Sequence, residues 1–135
     1  MKKIIALVIL ATFVLTGTYS CNKYEEGPSV TIYTKSFRLT RDWKLDKAQQ
    51  EGVDITSQLP ALEQTFDDDG SYKIIISGVE HSGTWEFDSD KENILIKLDG
   101  SSDQAKYKII RLKSSELWLD EEVGTQTVRY FWLEK

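Results

Sequence analysis

Three groups of residues have types and spacings that could do chemistry. The first is Asp67-Asp68-Asp69-Gly70-Ser71, where Asp67, Asp69 and Ser71 stand at the i, i+2, i+4 spacing of a calcium loop. An EF-type loop places glycine at its sixth position and a bidentate glutamate at its twelfth. Counted from Asp67, the glycine is fourth and the twelfth residue is Gly78. A turn is the better reading, since aspartate tolerates turn conformations and glycine reaches positive φ at little cost. The second is His81, the single histidine, in Gly78-Val79-Glu80-His81-Ser82-Gly83. That stretch reads as a loop and contains no Gly-x-Ser-x-Gly elbow. One histidine cannot form a histidine metal cluster, and a zinc site without Cys or His ligands would be unusual. The third is Cys21, the single cysteine. With no carboxylate pair singled out as an acid–base dyad, the expectation is no catalytic residue, no metal, no cofactor and no enzyme.

Cys21 has a different use. The chain opens with Lys2 and Lys3, then an apolar run over residues 4–15, then Thr16, Gly17, Thr18 and Ser20. Charge, apolar run and small-residue exit form a secretory leader, and the run is short of the roughly 20 residues that span a bilayer. The alternative is a retained N-terminal anchor helix. Cleavage before Cys21 makes it the first mature residue. The segment resembles a bacterial lipoprotein signal, with Ser20 in the small position, while Thr18 and Tyr19 depart from the usual lipobox. Thr18-x-Ser20 also satisfies the small-x-small rule of ordinary signal cleavage. A lone exported cysteine cannot pair internally, and acylation (palmitate or a similar chain) gives it a role. Residues 1–20 are therefore expected to be a leader, and residues 21–36 a lipidated Cys21 with a polar tether. Lys23 followed by Glu25 and Glu26 loosely resembles a surface-export signal, against an ordinary solvated linker. The expected location is the outer membrane, on its periplasmic or surface face.

The whole chain has 17 Lys and Arg against 22 Asp and Glu, a net charge of −5. Without the leader lysines the balance is 15 against 22. Such a protein lacks the basic footprint of a nucleic-acid binder.

The elements that must position any site are strands. Eight segments alternate with period two: residues 42–48, 63–66, 71–77, 83–88, 93–98, 105–112, 116–120 and 125–133. Turn residues separate them, among them Asp69-Gly70 and Asp99-Gly100. Short consecutive connections predict an all-β, eight-stranded antiparallel up-and-down barrel over residues 37–135, whose closure removes the exposed edges. Residues 31–39 read as a short helix or a lead-in turn over one mouth, and residues 53–56 as a loop ornament or a brief strand. The last strand is apolar on both faces, so residues 31–39 are expected to cover it through Ile32 and Phe37. Trp118 points opposite Leu117 and Leu119, which places it outside, free for a partner or packed under the N-terminal segment.

Thr40-Arg41-Asp42-Trp43 resembles the first-strand Gly-x-Trp of lipocalins, with Arg41 where the glycine would be. Phe66-x-x-x-Gly70-x-Tyr72, Gly83-Thr84-Trp85 and Leu117-Trp118-Leu119 follow in an order similar to that of small lipocalin-like bacterial lipoproteins. The resemblance covers about residues 41–134. It implies an eight-stranded barrel, export and a lipid anchor, and no defined activity. It also suggests an arginine stacked on Trp43, either Arg111 or Arg129.

The aromatic side chains admit two uses. Each buries about 150–250 Å², which suits a packed core. They also suit an apolar pocket at the barrel mouth, for which Trp43, Tyr72, Trp85, Phe87, Tyr107 and Trp132 are the candidate contacts. The expected function is a membrane-anchored envelope lipoprotein that binds a small apolar or amphipathic ligand. The alternative is an interaction or accessory module of an envelope protein complex, with a filled barrel and no ligand.

Overall fold

A computed structural model describes residues 34–135. The leader, Cys21, Ile32 and most of the tether lie outside the described residues. The chain enters through a five-residue helix α1 (Lys35–Leu39), two residues inside the segment assigned to the tether. Thr34 starts it by accepting the Phe37 N–H on its hydroxyl at 3.1 Å, which satisfies one of the free amides of a helix start.

Nine strands follow: β1 (Asp42–Gln50), β2 (Val53–Asp54), β3 (Leu62–Phe66), β4 (Ser71–Ile76), β5 (Val79–Phe87), β6 (Asn93–Leu98), β7 (Ala105–Leu112), β8 (Glu116–Val123) and β9 (Gln126–Glu134). A 3₁₀ turn, Thr56–Gln58, separates β2 from β3. From β3 to β9 each strand pairs antiparallel with the next, and β1 pairs with both β3 and β9. The result is a closed eight-stranded up-and-down barrel with β2 as an extra strand on β1. Every strand pairing lies within residues 42–134, so the barrel closes without the residues before Thr34.

Inward positions repeat every second residue, as the alternation predicts. Leu39, Trp43, Phe66, Tyr72, Ile94, Ile96, Ile109, Leu112, Leu117, Leu119 and Trp132 form the buried core. Two bulges interrupt the alternation, in β1 between Leu45 and Lys47 and in β7 between Ile109 and Arg111. A bulge places an extra residue on one strand and re-aims its neighbours. Ile109 and Ile110 are accordingly both buried although they are adjacent.

The segment around His81 is strand, not loop. The β4–β5 turn is only Ser77-Gly78, with φ of +50° and +82°. These values suit a two-residue hairpin turn, whose twist matches the strands. Serine at a positive φ leaves little trace in a sequence. His81 pairs with Ile74 and is exposed. The Asp67–Gly70 segment is the expected turn, with the Gly70 N–H donating to the Asp67 carbonyl at 3.1 Å.

The helix covers a barrel end; Phe37, expected to cover β9, is 50% exposed, with the Arg41 guanidinium over its ring at 5.3 Å. The covering residues are instead Leu39, fully buried, and Arg38, whose Nη1 donates to the Leu112 carbonyl of β7 at 2.6 Å. Leu39 accepts the Trp43 indole N–H at 3.0 Å, which ties helix, β1 and core together. On the outer wall Trp118 packs against Phe131 at 4.9 Å, with Arg111 over Trp118 and Lys47 over Phe131. Both arginines proposed for Trp43 have other partners: Arg111 lies on Trp118, and Arg129 pairs with Asp120 through two bonds of 2.7 and 3.0 Å.

Candidate functional site: the barrel interior and its mouth

Antiparallel order gives the barrel two unlike ends. One gathers α1, the start of β1 and the β3–β4, β5–β6 and β7–β8 turns. The other, the mouth, gathers the β1–β3 connection and the β4–β5, β6–β7 and β8–β9 turns. Toward the helix end inward side chains are fully buried, as Trp43, Leu112 and Leu117 show. Toward the mouth Leu62, Ile74, Leu98, Tyr107 and Tyr130 face inward, pack on the core and stay partly accessible. Exposed Val53, Val79 and Val123 stand on three hairpins around the rim.

Polar groups are set into this apolar interior. Tyr130 donates its hydroxyl to Glu121 Oε2 at 3.0 Å, and the Tyr107 ring lies 6.4 Å from that of Tyr130. Glu121 reaches the interior because β8 keeps alternating past Leu117 and Leu119. Burial, with the negative charge of Glu121 second, pushes the Tyr107 phenol up to about 12. The same two causes push Tyr130 upward. Tyr72 is pushed upward mainly by burial, with Tyr107 a second cause. Deeper in, Tyr72 donates to Gln64 Oε1 at 2.9 Å. At the exposed rim, Gln50 and Gln126 join their side-chain amides across the β1–β9 seam.

The wall has a gap beside Glu121. The β7–β8 ladder runs from Leu112 opposite Leu117 to Lys108 opposite Asp120. Beyond it, residues 105–107 pair with β6 and residues 121–123 with β9. A cavity of about 730 Å³ occupies this gap, lined by inward Ala105 and Glu121 and by outward Lys106, Lys108, Asp120 and Glu122 among others. Of the tyrosine–glutamate cluster, Glu121 lines this cavity.

The six aromatic candidates are divided by the fold. Trp43, Tyr72 and Trp132 are core residues, 0–4% exposed. Trp85 and Phe87 stack edge to face at 5.2 Å, and the Trp85 indole donates to the Asp67 carbonyl at 2.8 Å. Tyr107 lies in the mouth half, beside the gap. Glu121 and Gln64 were not singled out from the sequence. Extending the β8 alternation one residue beyond Asp120 would have found Glu121. No local pattern marks Gln64, a polar residue on an inward row. Asp69 belongs to its turn: hydrogen bonds from the Ser71 side chain and N–H hold its carboxyl below the usual range.

A closed up-and-down barrel of eight antiparallel strands, capped at one end by a short helix, is a lipocalin-like fold. Two solved structures share it. A lipocalin-like protein from Bacteroides uniformis superposes with a TM-score of 0.59 at 17% identity, over 73% of this chain and 99% of that one. A DUF4847 family protein from Bacteroides vulgatus gives a TM-score of 0.51 at 13% identity, over 71% and 94% of the two chains. At these identities the likeness is one of fold. No protein-family model matches the chain, and no curated protein matches it.

Proposed function

We propose that this chain is an exported lipoprotein of the bacterial outer membrane, held by acyl chains on Cys21, whose barrel binds one small apolar or amphipathic ligand without catalysing a reaction. The observation that carries the ligand reading is the graded interior. Side chains near the helix end are sealed, whereas Leu62, Ile74, Leu98, Tyr107 and Tyr130 present a partly accessible apolar lining with the Tyr130–Glu121 pair set into it. An apolar concavity with a few placed polar groups is what small-molecule sites share.

The second reading is an accessory module of an envelope complex with a filled barrel. The buried core favours it: Trp43, Phe66, Ile109 and Leu117 already fill the helix half. Neither reading assigns nucleic acid as a partner, in keeping with the acidic charge balance.

Two measurements test the proposal. Mass spectrometry of the N-terminal peptide from membrane-fraction protein should show a diacyl or triacyl Cys21; an unmodified cysteine would remove the anchor. Tryptophan emission of residues 22–135 should change saturably on titration with a twelve-carbon amphiphile. A flat response would favour the accessory-module reading.

A further inference from the structure

The β7–β8 ladder stops short of a pair that its sequence provides. Lys108 stands opposite Asp120. Continued in the same register, the ladder would set Lys106 opposite Glu122, an opposite-charge pair of the kind that stabilises paired strands. Among the described residues no ion pair joins Lys106 to Glu122. Both instead line the cavity of about 730 Å³ between the two strands, a volume within the roughly 300–1,000 Å³ of small-ligand sites.

The two walls of this cavity differ in charge. Lys106 and Lys108 stand on the β7 wall, and Asp120, Glu121 and Glu122 on the β8 wall. None of the partly accessible apolar residues of the mouth lines it. Asp120 is met by Arg129 and Glu121 by the Tyr130 hydroxyl, which leaves Glu122 as the exposed carboxylate. Asp88, a carboxylate near Lys106, is held by the Asn93 side chain at 2.6 Å. Main-chain groups face the same gap. The Ile109 N–H donates to the Glu92 carbonyl at 2.9 Å, on the β6 side. Main-chain direction alternates along an antiparallel strand. Lys106 and Lys108 therefore turn their N–H and C=O toward β8, and Asp120 and Glu122 turn theirs toward β7. The ladder uses those of Lys108 and Asp120 and ends before Lys106 and Glu122.

We propose that this gap binds a short zwitterionic peptide in extended form. Its carboxylate meets the Lys106 ammonium, its ammonium meets the Glu122 carboxylate, and its amide meets the main-chain groups of the parted strands. The site goes beyond the ligand reading above and does not depend on it. A lone anion would meet Lys106 but face the carboxylates of the other wall, and a lone cation would meet Glu122 but face the lysines. A zwitterion matches both walls at once.

The test uses residues 22–135, whose strand pairings are complete within the barrel, with ¹⁵N-labelled amides observed by NMR at low ionic strength, where exposed charges are least screened. The probes are the dipeptide alanylalanine, its N-acetyl form, which lacks the ammonium, and its C-terminal amide, which lacks the carboxylate. Alanylalanine should shift the amides of residues 105–107 and 121–123 saturably and bind about tenfold more tightly than either blocked form, a hydrogen bond between charged groups being worth at least that much. Lys106→Gln should weaken alanylalanine about tenfold and leave the C-terminal amide unchanged. Glu122→Gln should weaken alanylalanine equally and leave the N-acetyl form unchanged. Both positions are exposed, so neither substitution should disturb the fold. Equal affinity for the three probes, losses that ignore which charge the probe carries, or no shift at these amides would each overturn the site. None of those results bears on the apolar ligand, which the tryptophan titration with a twelve-carbon amphiphile tests separately.

Discussion

Gly83 has no room for a side chain. A Cβ there would stand 2.2 Å from the Lys97 carbonyl oxygen and 2.9 Å from the Leu98 Cα, both backbone atoms of β6. The glycine of Gly83-Thr84-Trp85 is thus a packing requirement of the β5–β6 pair. Gly83→Ala should cost about 3 kcal/mol, the upper range for overpacking, and lower the midpoint of thermal unfolding by about 10–20 °C. An unchanged midpoint would contradict this contact. The buried tyrosines give a second residue-scale expectation. Residues 34–135 contain Tyr72, Tyr107 and Tyr130, and all three phenols are held above their ordinary value, Tyr107 at about 12. An unfolded tyrosine ionises near 10. The neutral form is therefore favoured by folding, and the stability it contributes is intact below pH 10 and lost as pH climbs from 10 through about 12. Phenolate absorbance of this domain should lag free tyrosine and rise together with loss of the fold. Three phenols titrating near pH 10 in a folded protein would contradict it.

At the scale of elements, the strands were legible because each keeps a two-residue period bounded by turn residues. The core strands appear where 72, 74 and 76, or 94, 96 and 98, place apolar side chains on one face. What broke the reading was backbone geometry. The β7 bulge buries Ile110 beside Ile109, and positive φ at Ser77 shortens the β4–β5 turn so that His81 falls in a strand. Helix α1 has only five residues, too few to show a helical period, so its role over the barrel end had to come from the contacts of Arg38 and Leu39. The site was less legible than the fold. Its members lie on different strands, and the inner neighbours of Glu121, Tyr130 on β9 and Tyr107 on β7, are fixed by register. The β7–β8 gap likewise exists only in the pairing. It predicts that amides of residues 105–107 and 121–123 aimed across the seam exchange with solvent faster than those of Lys108 and Asp120. Uniform protection along both strands would mean the seam is closed.

At the scale of the molecule, closure by β1 and β9 leaves β2 as the one added strand among the described residues, paired over only two positions at Gln49 and Gln50. A barrel closed this way exposes few strand edges for stacking with other chains. Its two ends differ in the same direction as the chain: entry and helix at one, accessible lining and exposed rim valines at the other. Trp43 and Trp132 belong to the packed interior beneath that opening. The aromatic load of the sequence therefore divides between a fully buried core and a partly accessible lining.

The central claim is that this barrel carries a ligand, and native mass spectrometry of residues 22–135, purified gently from cells, tests it most directly. The account predicts a reproducible added mass, lost on denaturation, that belongs to a small amphiphile. A single unliganded mass, unchanged when amphiphile is supplied, would contradict it and leave the filled barrel of an accessory module as the account to pursue.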